Sequence, residues 1–224
     1  MRHFSERYAA LALGAAMLLP PLYTEGRLDL VIGQVCRGVE SLVAGCGGMA
    51  VPADARLVAD RRLASRARDL LRRSGEQAPS VEALLPHVSA AREAARRHGV
   101  PITLVLAVIH MESRFRQEAI SPSGALGLMQ VMPATARAVA LSEGWPLPRW
   151  LQLLDSETNI EIGVALLRSL HDHYHSWERA LAAYYAGNGA LVEGRFQQET
   201  EAYVRQVSNG VKMLHANRAG RPSA

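Results

Sequence analysis

Lysine is almost missing from this chain of 224 residues: Lys212 is the only one among 25 basic side chains, so the net charge of +4 and the pI of about 9.4 are carried by arginine. Aromatic residues make up only 5%, and there are two cysteines. Without aromatics interleaved among the basic residues there is no platform on which bases would stack, and no zinc-finger or helix-turn-helix spacing occurs, so nucleic acid is not the expected partner. The basic surplus still suits a polyanion, and anionic lipid and an acidic cell-wall polymer both remain open. A chain of this length can build a full core without disulfide staples. No Gly-x-Ser-x-Gly elbow and no phosphate-binding loop is present, which removes the usual serine-hydrolase and nucleotide-phosphate readings. Alternating strands of useful length are missing too. What remains is 49% hydrophobic and 21% charged, rich in alanine and leucine, and this predicts an all-α fold.

The chain starts with basic residues (Arg2, Arg7) and an apolar run from Tyr8 to Tyr23. Sixteen residues ending beyond Pro20 and Pro21 fall short of the roughly 20 that a spanning helix needs, so residues 1–26 read as an export signal, either removed or kept as a membrane tether. Cys36 and Cys46 follow, ten positions apart. They would pair in an oxidising periplasm or serve as small buried apolar groups in a reducing compartment. Val43-Ala44-Gly45-Cys46 mimics a lipoprotein acylation box, but Arg37 and Glu40 interrupt the apolar run such a box requires.

Leu28, Val31, Val35, Val39 and Leu42 keep helical spacing until Gly45, Gly47, Gly48 and Pro52 break it. An arginine-rich helix is expected over 53–74, with Leu63, Ala67, Leu70 and Leu71 on one stripe and Gly75 as its stop. Its charges form a solvated face or a docking surface for acidic polymer or protein. Residues 75–80, GEQAPS, read as a linker. The organisation expected is a leader at 1–26, a helical arginine-rich segment and linker at 27–85, a motif-bearing domain at 86–217 and a disordered tail at 218–224. Within that domain helices are expected over 86–98, from Pro101 through Ser113, and over 134–140, 159–171, 177–185 and 200–214. They would form a bundle of short helices around a cleft.

One residue stands out on spacing. Val105, Val108, Ile109 and Glu112 recur at i, i+3, i+4 and i+7, placing a carboxyl on the apolar face of its helix. Desolvation would raise its pKa and leave an acid able to hold a proton near neutrality and donate it. The bland reading is a helix-terminal glutamate turned to solvent, and periodicity alone leaves the two open.

The segment from Glu112 to Ala136, ESRFRQEAISPSGALGLMQVMPATA, shifts the balance. It resembles the catalytic core of the soluble lytic transglycosylases, enzymes with a lysozyme-like helical fold that cut peptidoglycan. The resemblance continues through NIEIG at 159–163, AAYYAGNG at 182–189 and ETEAYV at 199–204, and covers roughly residues 86–210. It implies that Glu112 is the single catalytic acid and base. It further implies that Ser121, Met129, Gln130 and Met132 line the saccharide cleft, that Tyr184 places a phenol near the catalytic carboxyl, and that Glu199 and Tyr203 belong to the binding region. The residue types agree with this. Glycines near Ser121 would let backbone approach a sugar, Gln130 can donate and accept, and methionines make adaptable apolar walls.

Two positions depart from the family pattern. Tyr185 stands where asparagine is usual, and Glu201 replaces an arginine; Phe115 to Gln117 also differ from the usual Asn-Pro. The implied enzyme is periplasmic and free of cofactor and metal. It would act on the β-1,4 bond between N-acetylmuramic acid and N-acetylglucosamine to leave 1,6-anhydro-muramoyl ends. Its partners would be glycan strands and a secretion or conjugation machine, with membrane contact only through an N-terminal tether. The alternatives are a lysozyme-type hydrolase and a non-enzymatic wall-binding assembly factor. His171, His173 and His175 could share a helix face as metal ligands, but at a helix end they read as solvated. Asp155 and Glu157, candidates for a second carboxylate, read as loop or helix-cap residues.

Overall fold

The apolar helix expected from Pro101 onward spans Ile102–Ser113 and forms the hub of the fold, with every residue from Thr103 to His110 buried. A helix apolar on all sides must be enclosed by others, and that corrects the sequence reading. Glu112 is set apart by its place at the end of a buried rod, where the helix emerges, and not by lying on a single apolar stripe.

The computed structural model describes residues 53–192 and 197–216. The leader, the spacing from Leu28 to Leu42, Cys36, Cys46 and the tail at 218–224 lie outside the described residues. In chain order the elements are α1 (Ala53–Arg73), α2 (Val81–His98), α3 (Ile102–Ser113), α4 (Pro133–Glu143), a 3-10 turn (Trp150–Leu154), α5 (Ser156–Tyr174), α6 (Trp177–Val192) and α7 (Gln197–His215). The all-α expectation holds: extended pairing among the described residues is limited to isolated bridges of Leu126 with Ile120 and with Val131. No helix among these residues is long and apolar enough to cross a membrane.

α2 begins at Val81 and not at Pro86. Ser80 caps it by accepting a 3.1 Å hydrogen bond from the Ala83 N–H, and this cap, not the proline, sets the start. The boundary expected at residue 86 therefore falls inside a helix. α1 presents Ala64, Ala67, Leu70 and Leu71 to the same core that α2 and α3 fill, and its buried Asp60 pairs with Arg92 of α2. Glu161 of α5 holds the other end of α2 through Arg97 and His98, each at 2.7 Å.

α7 runs antiparallel to α3, as the pairing of Gly210 with Ala107 and of Tyr203 with Glu112 shows. A Cβ on Gly210 would come within 3.3 Å of the Ala107 methyl, so glycine there lets the two helices approach closely. That close approach brings the first half of α7 alongside the end of α3.

Candidate active site

Glu112 is the penultimate residue of α3. Its helix end is tied to the following loop by Ser113, whose buried hydroxyl donates to the carbonyls of Ile109 (3.2 Å) and Leu128 (2.8 Å). Arg114 and Phe115 then take left-handed backbone angles, φ 55° and 59°, a conformation strained for residues with a Cβ. Arg114 terminates the helix by donating from its backbone N–H and its guanidinium to the His110 carbonyl. Two successive left-handed residues turn the chain sharply away from the helix axis.

The Tyr203 hydroxyl donates a 2.7 Å hydrogen bond to Oε1 of Glu112. Burial pushes the carboxyl up from the ordinary value of 4.5 to about 7, against the opposing pull of the Tyr203 hydrogen bond and the Arg114 charge. Burial and the nearby Glu112 charge raise Tyr203 and Tyr184 well above the usual phenol range, so both stay protonated donors. The result is a carboxyl that carries its proton through much of the neutral range with a fixed donor on one oxygen.

The phenol bonded to Glu112 is thus that of Tyr203, while Tyr184 lies near enough for the Glu112 charge to act on it. α6 places Tyr184 over the loop, where its hydroxyl donates 2.7 Å to the Met129 carbonyl. Met129 is corrected too. It is fully buried, seated where a Cβ on Gly163 would meet its sulfur at 2.6 Å, and so supports the loop from behind. Met132 is 39% exposed at the start of α4. Gln130 is half-buried with φ 48° and spends its amide hydrogens on the carbonyls of Ala119 and Gly127. The Ser121 hydroxyl accepts from the Ala125 N–H and pairs with Ser123, both at 2.9 Å. These polar groups shape the loop as much as they face outward. Glu199 lies exposed in the first turn of α7.

Asn159 is the residue the sequence reading undervalued. Wholly buried at the start of α5, it accepts from the Met129 N–H (2.7 Å) and donates to the carbonyls of Leu126 and Leu153 (2.8 Å each). One side chain thereby satisfies three backbone groups and pins the loop beneath Glu112. A Cβ on Gly127 would come within 2.5 Å of both the Asn159 amide and the Leu153 carbonyl. Gly127 therefore serves close packing against the protein, not approach to a sugar. The signal was available, because Asn159 precedes Ile160, Gly163, Val164 and Leu167 on a buried face, the same logic that singled out Glu112.

Asp155 caps α5 by accepting from the Thr158 N–H and hydroxyl, and Glu157 is exposed in the first turn. His171 stacks on Trp177 at 3.9 Å, His173 meets Tyr174 edge-on, and His175 closes α5. No group of three or more acidic, histidine or cysteine residues able to hold a metal gathers among the described residues.

A buried helical hub ending in a carboxyl whose pKa burial has raised, with a glycine-containing loop pinned beside it, defines a lysozyme-like helical domain. Residues 89–205, more than half of the chain, match the transglycosylase SLT domain, and the chain belongs to that family. Membrane-bound lytic murein transglycosylase C of Edwardsiella ictaluri is 46% identical over 85 residues, 37% of this chain and 24% of that protein. The transglycosylase of Enterobacteria phage PRD1 is 31% identical over 124 residues, 55% of this chain and 42% of that protein. Among solved structures, an inactive mutant of the lytic transglycosylase Slt of Pseudomonas aeruginosa superposes with a TM-score of 0.54 at 25% identity, over 83% of this chain and 34% of that one. The 70-kDa soluble lytic transglycosylase Slt70 of Escherichia coli gives 0.55 at 21% identity, over 96% and 41%, a likeness of fold. The chain matches 24% and 42% of the lengths of the two curated relatives.

Proposed function

We propose that this protein is a periplasmic peptidoglycan lytic transglycosylase that cleaves the β-1,4 bond between N-acetylmuramic acid and N-acetylglucosamine. The observation that carries the reading is the Glu112 carboxyl, raised by burial to about 7 and held by Tyr203. Family membership and the relatives named lytic murein transglycosylase support it.

The Glu112 proton passes to the departing glycosidic oxygen as the C1–O bond breaks and the muramoyl ring gains oxocarbenium character. The resulting carboxylate then takes the proton of the muramoyl 6-hydroxyl, whose oxygen forms the new bond to C1. No water is consumed, and Glu112 ends protonated as it began. The Tyr203 donor stabilises the carboxylate between the two transfers. Intramolecular attack is favoured by proximity, with effective molarities on the order of 10⁵ M or more for well-oriented groups. A hydrolase canonically uses a second carboxylate as nucleophile or to activate water, and the two candidates singled out in the sequence, Asp155 and Glu157, are a helix cap and an exposed first-turn residue. Service to a secretion or conjugation machine is the wider role we assign to the activity, with the arginine-rich face of α1 as the surface offered to such a partner.

Digestion of purified peptidoglycan followed by mass spectrometry tests the reading. Products should end in 1,6-anhydro-muramic acid, one water lighter than lysozyme products. Free reducing ends carrying labelled oxygen from solvent would make the protein a hydrolase instead.

A further inference from the structure

We propose that Tyr185 is a positioning residue whose ring, stacked on Tyr203, holds the Tyr203 phenol in line to donate to Glu112. The inference rests on the reading of Glu112 as the acid. Ring centroids of Tyr185 and Tyr203 lie 4.6 Å apart with planes inclined by 23°, an offset stack. Tyr203 comes from α7 and Tyr185 from the last helical turn of α6 before the chain breaks helical geometry at Gly187 (φ 73°, ψ 151°). The stack is therefore a tertiary contact that fixes one wall of the slot in which the Tyr203 ring turns.

Two features separate this role from ordinary core packing. Tyr185 is 46% exposed, so truncating it leaves a space open to solvent and no enclosed cavity. Its own hydroxyl is not needed for the stack, so phenylalanine should replace it. An asparagine here, the residue the family resemblance leads one to expect, would be too short to cover a phenol ring. The groups acting on Glu112 are the Tyr203 hydroxyl from α7 and Arg114 at the end of its own helix, with Tyr184 of α6 sensing its charge. Of these, the Tyr203 hydroxyl is the one a mobile ring would withdraw. Because that hydrogen bond favours the carboxylate, its loss raises the proton affinity of Glu112.

The test is a double-mutant cycle on the full chain, with peptidoglycan turnover measured across pH for Y185F, Y185N, Y203F and the pair Y185N/Y203F. Y185F should keep kcat within about twofold of the parent. Y185N should lower kcat about tenfold at nearly unchanged KM, which corresponds to about 1.4 kcal/mol, and move the alkaline limb of the rate profile upward, as Y203F does. In the Y203F background Y185N should cost less than about twofold. Equal losses in both backgrounds, or a raised KM at constant kcat, would overturn the proposal. A crystal structure of Y185N decides it without turnover: the Tyr203 hydroxyl should leave hydrogen-bonding distance of Glu112, and its retention at 2.7 Å would sink the idea. If the parent chain released no anhydro products, the proposed function would fail while this geometric test still stood.

Discussion

Tyr203 and Glu112 are 91 positions apart, yet their side chains meet in a 2.7 Å hydrogen bond with the phenol as donor. The bond unites the two halves of the motif-bearing region at the carboxyl we propose as the proton donor. Removing it in Y203F should lower kcat about ten- to a hundredfold, since hydrogen bonds to charged groups contribute about 1.5–3 kcal/mol. Glu112 would also hold its proton to higher pH, so the alkaline fall in kcat/KM, expected near 7 in the parent, should move upward. Steady-state rates from about pH 5 to 9 check both statements.

Glu112→Gln should abolish turnover while the fold persists, because shape is kept and the transferable proton is lost. It should also change stability in a pH-dependent way. A carboxyl whose pKa is raised in the folded state binds protons more tightly there, so the parent loses stability as pH rises from 4.5 to about 7. The loss is on the order of 3 kcal/mol and persists above that window. The glutamine variant should therefore be the more stable protein at pH 8 and nearly equal to it at pH 4, as read by urea unfolding. Equal stability of the two at pH 8 would show that Glu112 is not desolvated.

His110 works in the opposite direction two residues earlier. Burial and the Arg114 charge push it down to about 4, so the stability it contributes as a neutral ring is lost as pH falls from 6.5 toward 4. In the parent the slopes of Glu112 and His110 offset each other across this range. In Glu112→Gln the histidine slope should be laid bare as stability that falls with acidification. Adding His110→Gln to Glu112→Gln should flatten the curve, and an unchanged slope would remove His110 from the account.

Asn159→Ala should destabilise the protein by about 3–5 kcal/mol, since it leaves the Met129 N–H and the carbonyls of Leu126 and Leu153 buried without a partner. Chemical denaturation with unchanged m-value reads this directly. A loss below about 1 kcal/mol would mean that the loop has another anchor.

Two glycines of the same loop make an internal control. Gly124 (φ 88°) has nothing within 4 Å of where a Cβ would lie, whereas a Cβ on Gly127 (φ 74°) would meet the Leu153 carbonyl and the Asn159 amide at 2.5 Å. Alanine at Gly124 should cost about 1 kcal/mol for the left-handed backbone alone. At Gly127 the clash should bring the cost to about 3 kcal/mol or more. Equal costs would refute the packing account of Gly127.

The sequence by itself determined the helical class and the apolar helix that ends at Glu112, because composition and spacing are local; whether that carboxyl is buried or turned to solvent, periodicity alone left open. The sequence also carried the family motifs, matched over residues 89–205. What it could not decide was which of two tyrosines reaches Glu112, since Tyr184 and Tyr203 are distinguished only by the way α6 and α7 cross α3, and that crossing depends on Gly210 meeting Ala107. The inward turn of Met129, the three bonds of Asn159 and the Tyr185 stack were likewise decided by tertiary structure. Each is a contact between distant segments whose geometry is set by packing volume and by the need to pair buried polar groups, and neither quantity has a period along the chain.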